Sequence, residues 1–244
     1  MIEVRNISKK YKDAFAVRNF SAVFPKGEIS CLLGENGAGK STLMKAICGI
    51  HPVDGGEIIV DGVNVAENPV SCKGKIAFLP ENPQFYENYY VSEYLEMVAS
   101  LVSFANEGER VESMKNAVKK FSLNEVLNKK ISTLSKGYRQ RLAFAQMQFS
   151  RPEILVLDEP AGGLDPIQIA EIRSYISDAK KNAAVILSTH LMQEAKSLAD
   201  KIFILHKGIL CFSGTIPRLL EQTKTKNLEK AFIKITDEVK NEFV

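Results

Sequence analysis

The sequence has 244 residues, of which 45% are hydrophobic and 25% charged, and a formal net charge of +3. So small a charge gives no argument for nucleic-acid binding, which usually needs a concentrated basic face. There is no run of about 18 or more apolar residues and no signal-peptide core at the start, so we predict neither a membrane-spanning helix nor a secretory leader.

The cysteines indicate the redox compartment. Four are present, without CxxC spacing: Cys31, Cys48, Cys72 and Cys211. This spacing argues against a metal site. We expect no disulfide and predict a reducing, cytosolic location.

The first part of the chain is predicted to form antiparallel strands. Apolar residues recur within 2–7 and 17–24, and a shorter strand is predicted over 57–60. Pro-Lys-Gly and Asp-Gly sequences beside these segments are typical of turns. Residues 29–33, ISCLL, form a continuous apolar run, which predicts a buried strand.

A glycine-rich loop follows that strand directly. Residues 34–41, GENGAGKS, fit the pattern GxxxxGK[ST] at every fixed position, and residues 42–50 have helical composition. The backbone N–H groups of such a loop, together with the N-terminus of the next helix, cradle phosphate oxygens. Lys40 is expected to reach the β- and γ-phosphates, and the Ser41 hydroxyl to bind Mg²⁺. The predicted nucleoside triphosphate site consists of Gly34, Asn36, Gly37, Ala38, Gly39, Lys40, Ser41 and Thr42.

From about residue 81 to residue 135 the pattern changes to helical periodicity. A helix is predicted to start at Ser92, with apolar residues at helical spacing as far as Val102, and residues 111–121 repeat that period. These segments predict an inserted helical lobe.

Strand patterns return near residue 154. Runs at 154–157 and 184–187 predict parallel strands covered on both faces. The runs at 202–205 and 209–212 predict a closing hairpin. The lysine-containing segment after Thr223 predicts a solvent-exposed helix face.

Two carboxylates follow the strand predicted over 154–157. A parallel strand that ends at Asp158 places this carboxylate at the sheet edge beside the glycine loop, where it would orient Mg²⁺ through bound water. Glu159 is expected to lie nearer the γ-phosphate and to polarise the attacking water, because phosphoryl transfer depends mainly on positioning and charge.

With the pentad LSKGY at residues 134–138, these motifs resemble the nucleotide-binding subunit of ATP-binding-cassette (ABC) transporters over about residues 1–220. The loop alone would leave kinases, GTPases and other ATPases open, but LSKGY stands where the family carries LSGGQ. The resemblance implies an α/β P-loop NTPase core, a mostly parallel sheet with helices on both faces. An N-terminal antiparallel β subdomain and an inserted helical subdomain join it. We place the ATPase domain at 1–222, the insertion at about 84–150 and a C-terminal tail at 223–244.

The resemblance also assigns roles to single residues. Tyr11 stands where the family's aromatic residue stacks on adenine, and His190 where a histidine contacts the γ-phosphate. Ser135 and Gly137 match the residues that bind the γ-phosphate held by the opposite subunit. Asp165 ends the loop that joins the two sites across the dimer.

The sequence departs from the family pattern in three places. Glu81 stands where a glutamine usually senses Mg²⁺ and the membrane partner, and we expect it on the metal side. Lys136 and Tyr138 replace glycine and glutamine in the pentad, and residues 161–162 lack the usual hydroxyl groups. None of these changes touches the expected catalytic residues, so an active ATPase is predicted, with Lys40, Glu159 and His190 in catalysis.

The implied function is to energise a membrane transporter. Two subunits, identical or from two different ABC ATPases, would close on two ATP molecules with Mg²⁺. They would drive separate transmembrane subunits from the cytoplasmic face of the membrane, with residues 82–90 and the helical lobe as the receiving groove. The sequences LSKGYRQRL and LPENPQFYENYYVSEYL are similar to those of subunits from small two-protein exporters, and this resemblance favours export.

Other functions stay open. Import is the close rival. A soluble ABC ATPase acting on ribosomes or DNA would normally carry a second cassette or a long coiled coil, and neither is present. A regulator that does not hydrolyse ATP is disfavoured by Glu159 and His190.

Overall fold

Two β-sheets form the frame of the chain, which the computed structural model describes from residue 1 to residue 242, with side chains to residue 238. The strands are β1 (Ile2–Tyr11), β2 (Ala14–Phe24), β3 (Ile29–Leu33), β4 (Gly55–Val60), β5 (Val63–Asn64), β6 (Ile76–Leu79), β7 (Ile154–Asp158), β8 (Ala184–Thr189), β9 (Lys201–His206) and β10 (Ile209–Gly214). The α-helices are α1 (Lys40–Ile47), α2 (Pro69–Lys73), α3 (Val91–Ser100), α4 (Glu107–Lys120), α5 (Lys136–Phe149), α6 (Pro166–Ala179), α7 (Met192–Leu198), α8 (Ile216–Thr223) and α9 (Leu228–Glu242).

The larger sheet has six strands in the order β10-β9-β3-β8-β7-β6. Its neighbouring strands are parallel, except for the antiparallel pair of β9 and β10. The smaller sheet, in the order β2-β1-β4-β5, is antiparallel. The predicted α/β class, with its antiparallel β subdomain, is confirmed.

Strand β3 is buried on both faces. Cys31 and Leu33 pack into the core shared with the helical lobe, whereas Leu32 packs into the core shared with β1, β2 and α1. Because the strand alternates between two apolar cores, its C-terminal end is held firmly at the sheet edge. The glycine-rich loop starts at this end.

The first helix after the loop differs from its predicted bounds. It was predicted over 42–50, but α1 begins at Lys40, immediately after Gly39 in the left-handed conformation, and ends at Ile47. Gly49 has a φ of 62°, which places it beyond the helix end. The earlier start brings the Lys40 and Ser41 backbone into the first helical turn.

The helical lobe contains α3, α4 and α5. Helix α3 begins at Val91, one residue before the predicted start, and the Glu93 carboxylate accepts a hydrogen bond from the Tyr90 N–H at 3.0 Å. The predicted continuation to Val102 is wrong, because α3 ends at Ser100 and Leu101 is 79% exposed. The insertion bounds of about 84–150 stay a prediction.

The C-terminal segment packs against the main core. Leu228, Ala231, Phe232 and Ile235 are buried in the core that also contains the helical lobe, so α9 has one covered face as well as the predicted solvent-exposed one. The division of the chain at 222/223 stays a prediction. Within residues 1–242 no helix is both long enough and apolar enough to cross a membrane.

Candidate functional site

The glycine-rich loop joins β3 to α1 and needs glycine for two reasons. Gly37 and Gly39 have φ values of 81° and 103°, which disfavour other residues. In addition, a Cβ at Gly39 would lie 2.2 Å from the Ala16 carbonyl oxygen, and one at Gly34 would lie 2.6 Å from that of Leu205. The backbone can therefore curl tightly only with these glycines.

A polar cleft opens at the inner side of this loop. The N-terminus of α1 has no side-chain cap, so N–H groups of its first turn are left without helical partners and favour an anion. We call it the phosphate cleft; it is lined by Ala16, Asn36, Gly37, Ala38, Gly39, Lys40, Ser41, Thr42, Glu81 and Glu159.

Lys40 lies across this cleft and is only 6% exposed. Its Nζ donates hydrogen bonds to the carbonyl oxygens of Gly34 at 2.8 Å and Glu35 at 3.2 Å. The same Nζ lies 3.5 Å from Glu159 Oε1. The ammonium group is thus held in place before any ligand arrives, which reduces the ordering cost of binding a phosphate.

Glu159, which follows β7, contacts Lys40 beside the loop and His190 beyond the end of β8. Its backbone has a φ of 48°, a strained conformation for a residue with a side chain. Its Oε2 lies 2.9 Å from His190 Nδ1, whereas its buried Oε1 accepts no hydrogen bond from the described residues. Oε1 thus faces the Lys40 ammonium and keeps unused hydrogen-bonding capacity among the described residues.

Ser188 fixes both carboxylate-bearing residues at the end of β7, and sequence reasoning missed it. Its hydroxyl donates to Asp158 Oδ1 at 2.5 Å and accepts from the Glu159 N–H at 3.0 Å. Asp158 and Ser188 are direct partners in the β7–β8 register. The available signal was the polar Ser-Thr-His sequence at the end of the strand predicted over 184–187.

The residues beside the loop fit a magnesium ion that is shared with a phosphate. In the described part of the chain, no three His, Cys, Asp or Glu side chains form a metal-binding group. Mg²⁺, however, is commonly held by one or two carboxylates together with substrate phosphates. Ser41 lines the phosphate cleft, and the buried Asp158 precedes Glu159, so both are suited to this role. Glu81 lines the cleft as well.

A buried carboxylate supports the segment that carries His190. The Thr189 hydroxyl donates to Glu194 Oε2 at 2.5 Å and accepts from the Leu191 N–H at 3.0 Å. Both neighbours of His190 are therefore tied to one network. Burial raises the pKa of the Glu194 carboxyl above its ordinary value.

We expect Glu194→Gln to stabilise the protein at alkaline pH. Because the pKa of Glu194 is raised by folding, the native state binds more protons than the unfolded state, and stability falls as pH rises through the native pKa. The amide removes this loss and can still accept from Thr189. The unfolding midpoint of the variant should exceed that of the wild type increasingly as pH rises above the ordinary pKa of a glutamate carboxyl, by about 2–4 °C for each kcal/mol recovered. Glu221→Gln, on the exposed face of α8, is the control; a pH-independent difference would contradict the assignment.

The Ser135–Gly137 segment lies at the N-terminus of α5, outside the phosphate cleft. Ser135 caps this helix by accepting from the Tyr138 N–H at 3.4 Å. A Cβ at Gly137 would lie 2.3 Å from Gln168 Nε2, so this glycine allows the close approach of α6. Of the predicted phosphate-binding pair, Gly137 is thus packed against the helix that Asp165 precedes, whereas Ser135 is exposed.

Asp165 caps α6 through its carboxylate, which accepts from the N–H groups of Ile167 at 3.0 Å and Gln168 at 2.9 Å. Gln168 Oε1 in return accepts from the Asp165 N–H. The Lys136 ammonium, one of the departures from the family pattern, lies beside Gly163. The cap gives Asp165 a structural task in addition to its predicted one.

Tyr11, at the end of β1, has a ring that is 48% exposed. The His51 ring packs edge-on against it at 6.5 Å, and the Lys9 ammonium lies 5.9 Å from its centroid. Tyr11 does not line the phosphate cleft, whereas Ala16 on the next strand does. The loop, Glu81 and Glu159 therefore line the cleft, with Asp158 and His190 beside Glu159, whereas Tyr11, Ser135, Gly137 and Asp165 do not line it.

Comparison with known proteins points to one family. The sequence model of the ABC transporter family matches residues 17–162 of this chain. The bacitracin transport ATP-binding protein BcrA of Enterococcus faecalis is 34% identical over 226 residues, which cover 92% of this chain and 72% of that protein. The ABC transporter ATP-binding protein NatA of Bacillus subtilis (strain 168) is 30% identical over 239 residues, which cover 96% and 97%. The similarity thus extends beyond the loop to almost the whole chain.

Solved structures agree with this result. An ATP-binding subunit of an ABC transporter superposes with a TM-score of 0.88 at 29% identity, covering 97% of this chain and 99% of that one. A bacterial ABC transporter cassette solved as a dimer gives a TM-score of 0.80 at 23% identity, covering 88% and 99%. At that lower identity the likeness concerns the fold alone.

Proposed function

The chain belongs to the ABC transporter family as an ATPase subunit for membrane transport, and we propose that it powers export as one half of an ATP-closed dimer. The observation that carries this proposal is an incomplete site. The phosphate cleft is lined by the loop, Lys40 and Glu159, with His190 in contact with Glu159, but Ser135 and Gly137 do not line it. A second subunit would supply that pair to the open side of the ATP.

Each group in the cleft has a specific task in this proposal. Lys40 and the loop N–H groups bind the β- and γ-phosphates, and the Glu159 carboxylate accepts a hydrogen bond from the attacking water. His190 holds one oxygen of this carboxylate and so keeps Glu159 oriented. Mg²⁺, held by Ser41 and Asp158 with Glu81 nearby, would neutralise charge on the phosphates. Loss of the γ-phosphate removes the ligand shared by the two subunits.

An exposed aromatic patch at residues 82–90 supports a docking site for separate transmembrane subunits. Tyr86, Tyr89 and Tyr90 are 62%, 40% and 41% exposed. Within the same segment, Glu87 accepts two hydrogen bonds from Arg139 of α5, both at 2.6 Å. These bonds lower the pKa of Glu87. Movement of the patch would thus be transmitted to α5, the helix that Ser135 caps.

The proposal also covers the direction of transport, the location of the subunit and the composition of the dimer. Export rests on the sequence around LSKGY and residues 79–95, and a relative named for bacitracin transport is consistent with it. The subunit would work at the cytoplasmic face of the membrane. A homodimer suffices, because this chain carries the residues for both halves of the site; a heterodimer with another ABC ATPase is the alternative.

Co-purification from detergent extracts tests the transport proposal. We expect the wild-type chain to bring down a separately encoded protein with several membrane spans, and Tyr86→Asp to lower its recovery at least tenfold. Val70→Asp, at a residue 82% exposed on α2, should leave recovery unchanged. Recovery of a ribosome or a DNA fragment in place of the membrane protein would overturn the proposal.

A further inference from the structure

The turn between β9 and β10 packs against the back of the glycine-rich loop. His206 pairs with Ile209, so the turn consists of Lys207 and Gly208. Their φ values are 46° and 79°, and positive values at both positions are typical of a type I′ hairpin turn.

Two backbone hydrogen bonds place Gly208 between β2 and the loop. Its N–H donates to the Ala38 carbonyl oxygen at 2.9 Å, and its own carbonyl accepts from the Arg18 N–H at 2.8 Å. The hairpin is therefore anchored to β2 on one side and holds a loop carbonyl on the other.

The bond to Ala38 determines the direction of the next N–H group. The described residues contain no cis peptide bond, and in a planar trans peptide the C=O and the following N–H point in opposite directions. Because the Ala38 carbonyl points back to Gly208, the Gly39 N–H points the opposite way. Both residues line the phosphate cleft, so this N–H is directed toward it.

The packing leaves no room for a side chain at position 208 of the turn. A Cβ at Gly208 would lie 2.8 Å from the Ala16 carbonyl oxygen, the same atom that excludes a side chain at Gly39. A Cβ at Gly39 would lie 3.5 Å from Gly208 Cα. The turn, β2 and the loop thus meet in direct backbone contact.

We propose that Gly208 is a positioning residue for ATP: it holds the Ala38–Gly39 peptide so that the Gly39 N–H faces the phosphates. This inference rests on ATP binding at the loop. It predicts that a displaced turn weakens phosphate binding in a protein that is still folded.

Two matched variants of the full chain test this role. Gly208→Ala and Gly62→Ala place alanine at similar φ values, 79° and 83°, but a Cβ at Gly62 meets nothing within 4 Å. We expect Gly208→Ala to bind the non-hydrolysable ATP analogue adenosine 5′-(β,γ-imido)triphosphate about tenfold more weakly than Gly62→Ala, since one hydrogen bond to a charged oxygen is misdirected. Adenosine affinity should be equal.

The measurement is isothermal titration calorimetry well below the unfolding midpoint of each variant. A merely structural role would lower that midpoint and leave the affinity of the folded protein unchanged. Equal affinities for the analogue would overturn this inference alone, whereas absence of binding by the wild type would overturn ATP binding as well.

Amide hydrogen exchange on the wild type provides a test that does not require the variant to fold. Without nucleotide, the Gly208 amide should be protected, and the Gly39 amide should exchange rapidly. The analogue with Mg²⁺ should slow exchange at Gly39 at least tenfold. An unprotected Gly208 amide, or no change at Gly39, would overturn the proposal.

Discussion

Glu159→Gln is expected to lower ATP hydrolysis by roughly 10²–10⁴-fold while ATP binding persists. The amide occupies the space of the carboxylate but is a far weaker acceptor for the proton of the attacking water. Lys40 and the loop N–H groups, which contact the phosphates in our proposal, are unchanged. The dimer should therefore close on ATP and stay closed.

Two measurements check this result. Steady-state phosphate release gives the rate, and size-exclusion chromatography with ATP and Mg²⁺ gives the association state. Glu153→Gln is the matched control, because Glu153 directly precedes β7 and its side chain is 50% exposed; it should hydrolyse ATP like the wild type. A Glu159→Gln variant that elutes only as a monomer with ATP would count against the proposed mechanism.

The parts of the site that could be predicted are contiguous in the sequence. GENGAGKS follows an apolar run, and Asp158 and Glu159 follow another, so each motif sits at the end of its strand by local pattern alone. Parallel strand ends meet at one sheet edge, which is why Asp158 was expected beside the glycine loop. In the structure the next residue, Glu159, lies 3.5 Å from the Lys40 ammonium.

The parts that were missed depend on contacts between distant segments. Ser188 contacts Asp158 only because of the β7–β8 register. Gly208 contacts Ala38 through a backbone hydrogen bond, which no side-chain pattern in the sequence indicates. The end of α3 at Ser100 was also missed, because apolar spacing continued into residues that are no longer helical. Local patterns predict elements well, but they do not encode which backbone groups meet.

Lys40→Met is expected to weaken ATP binding by roughly 10- to 100-fold, because charge-assisted hydrogen bonds to phosphate are lost. Hydrolysis should fall further, by roughly 10²–10³-fold at saturating ATP, since the ammonium would also stabilise charge that develops in the transition state. Methionine keeps much of the side-chain volume, so packing around this residue, which is 6% exposed, changes little.

Lys45→Met, on the same helix, is the control. It distinguishes the loss of one positive charge from the loss of an ammonium group at the phosphate cleft. Both substitutions remove one positive charge and place methionine in α1, but Lys45 does not line the phosphate cleft. Its ATP affinity and hydrolysis rate should match the wild type in equilibrium binding and phosphate-release assays. If both variants lost affinity equally, the effect would come from the net charge of the helix, and the assignment of Lys40 to the phosphates would be wrong. If only Lys40→Met loses affinity, the effect comes from the position of the Lys40 ammonium. The contacts of the wild-type Nζ with Gly34, Glu35 and Glu159 then hold this group in place for the phosphate.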